Sequence, residues 1–412
     1  MIDAHKILSG LSFTDKYDMK KILVISDWAP PMIDGPSMIL GNLLREFKKD
    51  DVVLFKRKIN RNTNTYSKKG NELNIKEYSL FVPTPYFPGL SNFWRRVFRL
   101  LETLFIPLTV IKGLWVCAIE GIDCILATSD APHAHFLTSA YLIAKIAKKR
   151  LVLYLLDPVE EFQMGRIQKN MVNMFLPRMM RYSSKVIVMN DVLAEHYNSK
   201  FGIKCEVLPH SVDINSNRCD PENAKREQSE KIKIIFSGKI SKYQEDALLN
   251  LINAIKRSPK NIILKIFTPT KPSYLKQLGF DSANVTIKYI DHDDLKGELK
   301  KADILFIPLS FINSGSMIVK AAFPVKIMDY LLAQRPILIN APGDSFIVKF
   351  AKDNKIAEIV TENDADAVAK AIDDLINNSE KRDTLILNCQ KTVINYEPRI
   401  IFERFSKIVK DL

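Results

Sequence analysis

The stretch Phe323-Pro324-Val325-Lys326-Ile327-Met328-Asp329-Tyr330-Leu331-Leu332-Ala333-Gln334-Arg335-Pro336-Ile337-Leu338-Ile339 decides the fold class. It follows Ala302-Asp303-Ile304-Leu305-Phe306-Ile307-Pro308-Leu309, an apolar run of the kind that forms a buried parallel strand. Strand, loop, short helix and strand are legible in that order. Pro324 suits a first helical turn, where its missing N–H has no partner to lose. Lys326 and Asp329 stand three apart and so share a helix face. One face then offers a cation for phosphate and a carboxylate for ribose hydroxyls, although a solvated Asp329 and a surface Lys326 satisfy the same local pattern.

The alternation extends in both directions. Apolar runs at 21–26, 52–55, 122–128, 151–156 and 185–189 read as strands, with amphipathic segments at 37–47 and 135–148 between them, while the polar, basic 56–77 reads as a long loop. After a charged stretch at 215–231 without apolar period, a second series opens at 232–238 and continues through 246–256, 262–267, 285–290, 295–301 and 304–307. Strands alternating with helices imply parallel sheets covered on both faces. The expected fold class is α/β, with two Rossmann-like domains facing each other across a cleft at the carboxyl ends of the strands, where open sheets bind ligands. The expected divisions are an N-terminal extension at 1–20, a first domain at 21–212, a linker at 213–231, a second domain at 232–396, and a helix at 397–412 that packs back across the domains. A chain of 412 residues exceeds the size at which one core stops growing.

A formal net charge of +13 asks for an anionic partner. Nucleic acid fits poorly, because zinc-finger spacing, an aromatic RNP-like strand and a basic reading helix are all missing. An anionic membrane surface or a phosphorylated lipid acceptor fits the charge, much of which lies in the first half at Lys56-Arg57-Lys58, Arg95-Arg96 and Lys148-Lys149-Arg150. The most apolar region, 100–118, is interrupted by Glu102, Pro107 and Lys112 and falls short of a spanning helix. Before it, Trp94-Arg95-Arg96-Val97-Phe98-Arg99 suits either an anionic lipid interface or a buried helix with a basic rim. Five cysteines without a Cys-x-x-Cys pair, and a polar segment at 1–21 without an apolar h-region, point to a reducing cytoplasm.

Residues that end strands are the candidates for chemistry. The loop after the first strand holds a single glycine, Gly35, without Gly-x-Gly-x-x-Gly; one glycine before a helix still lets an anion approach its N–H groups. His133 and His135 follow the strand at 122–128, and Asp157-Pro158 follows that at 151–156. A histidine so placed serves structure more often than catalysis, and His-x-His lacks the further ligands of a metal site. Gly238 and Lys239 follow the first strand of the second half, and Thr268, Ile290 and Leu295 lie at or beyond later strand ends. The acidic groups Asp291-His292-Asp293-Asp294 and Asp364-Ala365-Asp366 precede helical patterns, where aspartate is a favoured cap, so no metal site is expected.

The 323–339 segment resembles the signature of retaining, nucleotide-sugar-dependent glycosyltransferases of the large family-four type, whose donor site carries Pro-x-Lys-x-x-Glu-Tyr-Leu-Ala-x-x-x-Pro. Asp329 replaces the glutamate, and Ala321 stands where many members carry a second one. The resemblance implies a GT-B fold. It implies that Lys239 and Lys326 bind the donor diphosphate together with Gly35, Gly238, Pro324 and Val325, and that Asp329 binds the ribose; by sheet topology, Thr268, Ile290 and Leu295 lie where strand ends should flank the base. It also implies that His135, with His133 as fallback, faces the reacting sugar near Asp157. A second cation expected a few residues after Lys239 falls at Gln244 and Glu245, or is supplied by Lys242. The implied activity is retaining, metal-independent transfer of a hexose-like sugar from a nucleotide diphosphate sugar, a co-substrate rather than a cofactor. The implied acceptor is a glycan, lipid-linked, in lipopolysaccharide or capsule synthesis, reached from the inner face of the cell membrane. A non-catalytic GT-B protein that binds a nucleotide sugar or a partner enzyme is the other reading.

Overall fold

The computed structural model describes residues 20–32, 34–58, 73–83, 91–129, 135–162, 165–214, 231–280 and 282–412. Two parallel sheets form. The first contains β1 (Ile22–Ser26), β2 (Val52–Arg57), β3 (Lys76–Leu80), β4 (Cys124–Ser129), β5 (Arg150–Leu155), β6 (Lys185–Val188) and β7 (Glu206–Val207), in the order β3-β2-β1-β4-β5-β6-β7. The second contains β8 (Ile232–Ser237), β9 (Ile262–Phe267), β10 (Val285–Lys288), β11 (Ile304–Pro308), β12 (Ile337–Asn340) and β13 (Glu358–Val360), in the order β10-β9-β8-β11-β12-β13. Both reverse direction beside their first strand, which opens a crevice at the carboxyl ends of the strands.

The central strands are largely apolar because helices cover both faces of each sheet. In the first, Leu23, Ile25, Val53 and Phe55 face one core and Ile22, Val24, Val52 and Leu54 the other. The second sheet divides likewise, with Ile235, Leu305 and Ile337 on one side and Ile234, Phe236 and Ile304 on the other. β3 begins at Lys76 and Glu77, the end of the segment expected to be a loop. Its Lys-Glu-Tyr-Ser-Leu sequence has the polar character of an edge strand, which hides it from an apolar-run criterion.

The two halves are stitched together by named contacts. The helix Pro398–Val409 lies in the first half: Ile401, Phe405 and Val409 join the core beneath β1 and β2, and Phe402 meets the Phe47 ring edge-on at 4.9 Å. Asn190 Nδ2 donates to the Ala321 carbonyl at 2.9 Å, and Ser316 Oγ donates to Glu161 at 3.2 Å. These contacts join loops at the carboxyl ends of β5 and β6 to the loop that leads into the helix Lys326–Ala333.

Candidate functional site

On the second half, the helix Lys326–Ala333 is pinned to the end of β8. Tyr330 is fully buried, and its hydroxyl accepts from Ser237 N at 2.9 Å. The Lys326 side chain crosses the same strand end, with Nζ 4.0 Å from the centre of the Phe236 ring. Gly238 makes room for it. A Cβ there would lie 2.9 Å from Lys326 Nζ, and its φ of +116° is one that side-chain-bearing residues avoid. Burial pushes the Lys326 ammonium down to about 7, and among the described residues no acceptor lies within hydrogen-bonding distance of it. A cation held without an acid at a strand end is an anion site in waiting. The helix begins at Lys326, so Pro324 precedes it instead of occupying its first turn; Pro324 O and Val325 O accept from Ile327 N and Met328 N and start the winding.

Asp329, half-buried on this helix, lies beside His210 from the end of the first half. The His210 ring is buried 4.7 Å from the Phe323 ring, and burial lowers its pKa to about 4 against the pull of the Asp329 carboxylate. Lys239 is exposed. Thr268 is buried and its Oγ1 accepts from Thr270 N at 3.0 Å, while Thr270 Oγ1 accepts from Ile240 N at 2.9 Å, tying the ends of β8 and β9 together. Ile290 and Leu295 pack against the second half's core. Gln244 and Glu245 hold neighbours: Gln244 Oε1 accepts from Ser241 N at 3.1 Å, and Glu245 from the Tyr274 hydroxyl at 2.6 Å. Lys242 lies over the Tyr243 ring at 5.0 Å.

Ala321 has a packing explanation. It is buried within the first half's core cluster, so a glutamate there would carry its carboxylate into apolar surroundings. Of the acidic groups, Asp364 caps its helix by accepting from Asp366 N and Ala367 N.

On the first half, Asp34 Oδ1 accepts from Ser37 N at 2.8 Å and caps the helix Gly35–Leu44. A Cβ on Gly35 would lie 3.1 Å from Val325 Cγ2, so the glycine loop abuts the donor-side loop of the other half. Asp157, just past β5, has its carboxyl pushed up to about 6 by burial alone. His135 requires a correction. Its ring is 3% exposed, Nδ1 donates to the Glu102 carbonyl at 2.6 Å, and Nε2 accepts from the Thr109 hydroxyl at 2.8 Å. With both nitrogens engaged and burial holding its pKa near 4, it is a neutral structural residue with no nitrogen left for a sugar. His133 lies outside the described residues.

What surrounds His135 was not foreseen. Arg57, at the end of β2, is buried between Asp27 and Glu102 and also donates to the Val82 carbonyl at 2.8 Å and the Pro83 carbonyl at 3.0 Å. The second Glu102 oxygen accepts from Gln168 Nε2 at 2.9 Å. The two carboxylates hold the guanidinium charged. In the sequence, Arg57 is only one member of a basic triplet.

Comparisons with known proteins now bear on this geometry. Residues 220–392 match the family model described as glycosyl transferases group 1. A search of curated protein sequences returns no match. Among solved structures, HepE from Anabaena, in complex with UDP and glucose, is 15% identical with a TM-score of 0.67, covering 95% of this chain and 100% of that one. Sucrose-phosphate synthase from Thermosynechococcus elongatus is 13% identical with a TM-score of 0.68, covering 95% and 99%. The lipopolysaccharide outer core galactosyltransferase WaaB is 12% identical with a TM-score of 0.59, covering 95% and 99%. Residues 220–392 thus match glycosyl transferases group 1, and the described residues have the two-sheet GT-B fold of these solved structures.

Proposed function

We propose that this glycosyltransferase takes a hexose-like sugar from a nucleotide diphosphate sugar and places it, with retention, on a lipid-linked glycan at the inner face of the cell membrane, in surface polysaccharide synthesis. One observation carries the donor assignment: Lys326 is a half-buried cation with no acid beside it among the described residues, held against Gly238 at the end of β8. As the C1–O bond to the diphosphate breaks, negative charge gathers on the leaving phosphate, and a preorganised cation stabilises that charge. Lys326 and the exposed Lys239 supply it without a metal. Asp329 accepts from the ribose hydroxyls. The new bond forms between C1 and an acceptor oxygen, whose proton passes to the departing phosphate. Of the two residues expected beside the reacting sugar, His135 and Asp157, Asp157 serves there. Ionised above about pH 6, it stabilises positive charge on the ring.

The engaged Gln244 and Glu245, where a second cation was expected, favour the non-catalytic reading in which the fold only binds a nucleotide sugar. Donor hydrolysis without acceptor separates the two. The chain should release nucleotide diphosphate from one of a panel of UDP-, GDP-, TDP-, CDP- and ADP-sugars, and Lys326→Ala should slow release about a hundredfold or more. EDTA should leave the rate unchanged. Binding without release, with or without acceptor glycans, would establish the non-catalytic reading.

A further inference from the structure

The helices Asn92–Leu104 and Ile106–Glu120 follow one another almost without a break, and one face of the pair is apolar yet exposed. Leu104, Leu108, Ile111, Trp115 and Ile119 recur at spacings of four, three, four and four, a single helical stripe, and each is at least half exposed. Phe93 and Trp94 extend the apolar surface at the amino-terminal end. Single exposed apolar residues need no explanation, but a contiguous run of this length does.

Charge narrows what covers it. The only acids of the two helices are Glu102 and Glu120, and both turn inward. Glu102 is held by Arg57 and Gln168, and Glu120 by Lys21, Lys76 and Tyr78. Arg95 and Arg96 are exposed on the outside. The neighbouring helix Arg166–Tyr182, whose first turn lies against Arg99, contains no acid and exposes Arg166, Lys169, Arg178 and Arg181. The surface is therefore apolar with a basic border. Two copies meeting through this face would bring like charges together in a self-complementary contact, which disfavours a second copy. An anionic lipid surface satisfies both features.

We infer that this helical pair beds its stripe into the interfacial layer of an anionic membrane without crossing it. Against the expectation from 100–118 alone, the longer helical stretch Phe93–Glu120 is long and apolar enough to span. Its inner face rules spanning out, because Ile106, Val110, Val116 and Cys117 belong to the first core and leaving would open it. Through Glu102 the docking helix is fixed to Arg57 at the carboxyl end of β2. The bilayer then sits against the cleft side of the first half, within reach of an acceptor carried on a lipid. The docking rests on no step of the transfer reading and is measured without donor.

The test is flotation of the full chain with vesicles of phosphatidylcholine alone and of phosphatidylcholine with about one-third phosphatidylglycerol. The chain should rise with the anionic vesicles. Leu108→Glu with Ile111→Glu, both at exposed positions, should weaken this at least tenfold while thermal stability and nucleotide release stay as in wild type. Arg95→Glu with Arg96→Glu should lose roughly fivefold per charge removed, and more at low salt. Failure of the wild type to float, or flotation equal for wild type and both variants, would overturn the inference. So would a dimer that the apolar substitutions dissociate while vesicle binding is absent.

Discussion

At the scale of single residues, two half-buried groups, Lys326 and Asp157, have their protonation shifted by the fold. Burial brings Lys326 down to about 7 from 10.5, so between those values the unfolded chain holds more protons and stability rises with pH. Below about 7 both states are protonated, and the cost of the buried charge is fully present. Lys326→Met should therefore raise the unfolding temperature at pH 7 in the absence of ligand while abolishing nucleotide binding. A bound diphosphate favours the charged lysine, so binding at pH 8 should take up a proton, visible by calorimetry in buffers of different ionisation enthalpy. Asp157 shifts the other way, from 3.8 to about 6, so the folded chain binds its proton more readily and stability from this group falls as pH rises through that window. Asp157→Asn should stabilise the chain at pH 7 and remove an acid limb near pH 6 from the rate profile. Lys326 and Asp329 were named as candidates from their strand-loop-helix context and the motif resemblance, a local pattern that a solvated pair satisfies equally. The placement of His135 was not legible, because its partners Thr109 and Glu102 come from helices whose packing no local pattern encodes.

At the scale of elements, the Asp27–Arg57–Glu102 group ties β1, β2 and the helix Asn92–Leu104 into one unit. Removing the cation strands two carboxylates, so Arg57→Met should cost about 3–5 kcal/mol, read from denaturant unfolding. Replacing Phe405, fully buried in the helix Pro398–Val409, by alanine should cost a similar amount of about 3–5 kcal/mol and expose the carboxyl-terminal helix to limited proteolysis. Buried strands such as β1, β4, β8 and β11 were legible as continuous apolar runs. β3 was not, since an edge strand needs little apolar surface. The apolar segment around 100–118 showed its composition in the sequence, but which face would be buried depended on where Val110, Val116 and Cys117 met the sheet.

At the scale of the whole molecule, loops at the carboxyl ends of the two sheets touch each other. Gly35 lies against Val325, Asn190 bonds the Ala321 carbonyl, and His210 lies between Phe323 and Asp329. The two-domain plan was readable from the repeated strand-helix alternation. The return of the final helix into the first core depended on Phe47 receiving Phe402 and Phe405, a pairing between opposite ends of the chain. The most direct measurement is thermal unfolding of the chain with UDP, GDP, TDP, CDP and ADP at millimolar concentration, repeated on Lys326→Ala and Asp329→Ala. A ligand at about 100 times its dissociation constant adds roughly 2.7 kcal/mol of stability. The account expects one nucleotide to raise the unfolding temperature and both substitutions to erase the rise. No rise with any nucleotide, or a rise that survives both substitutions, would contradict it.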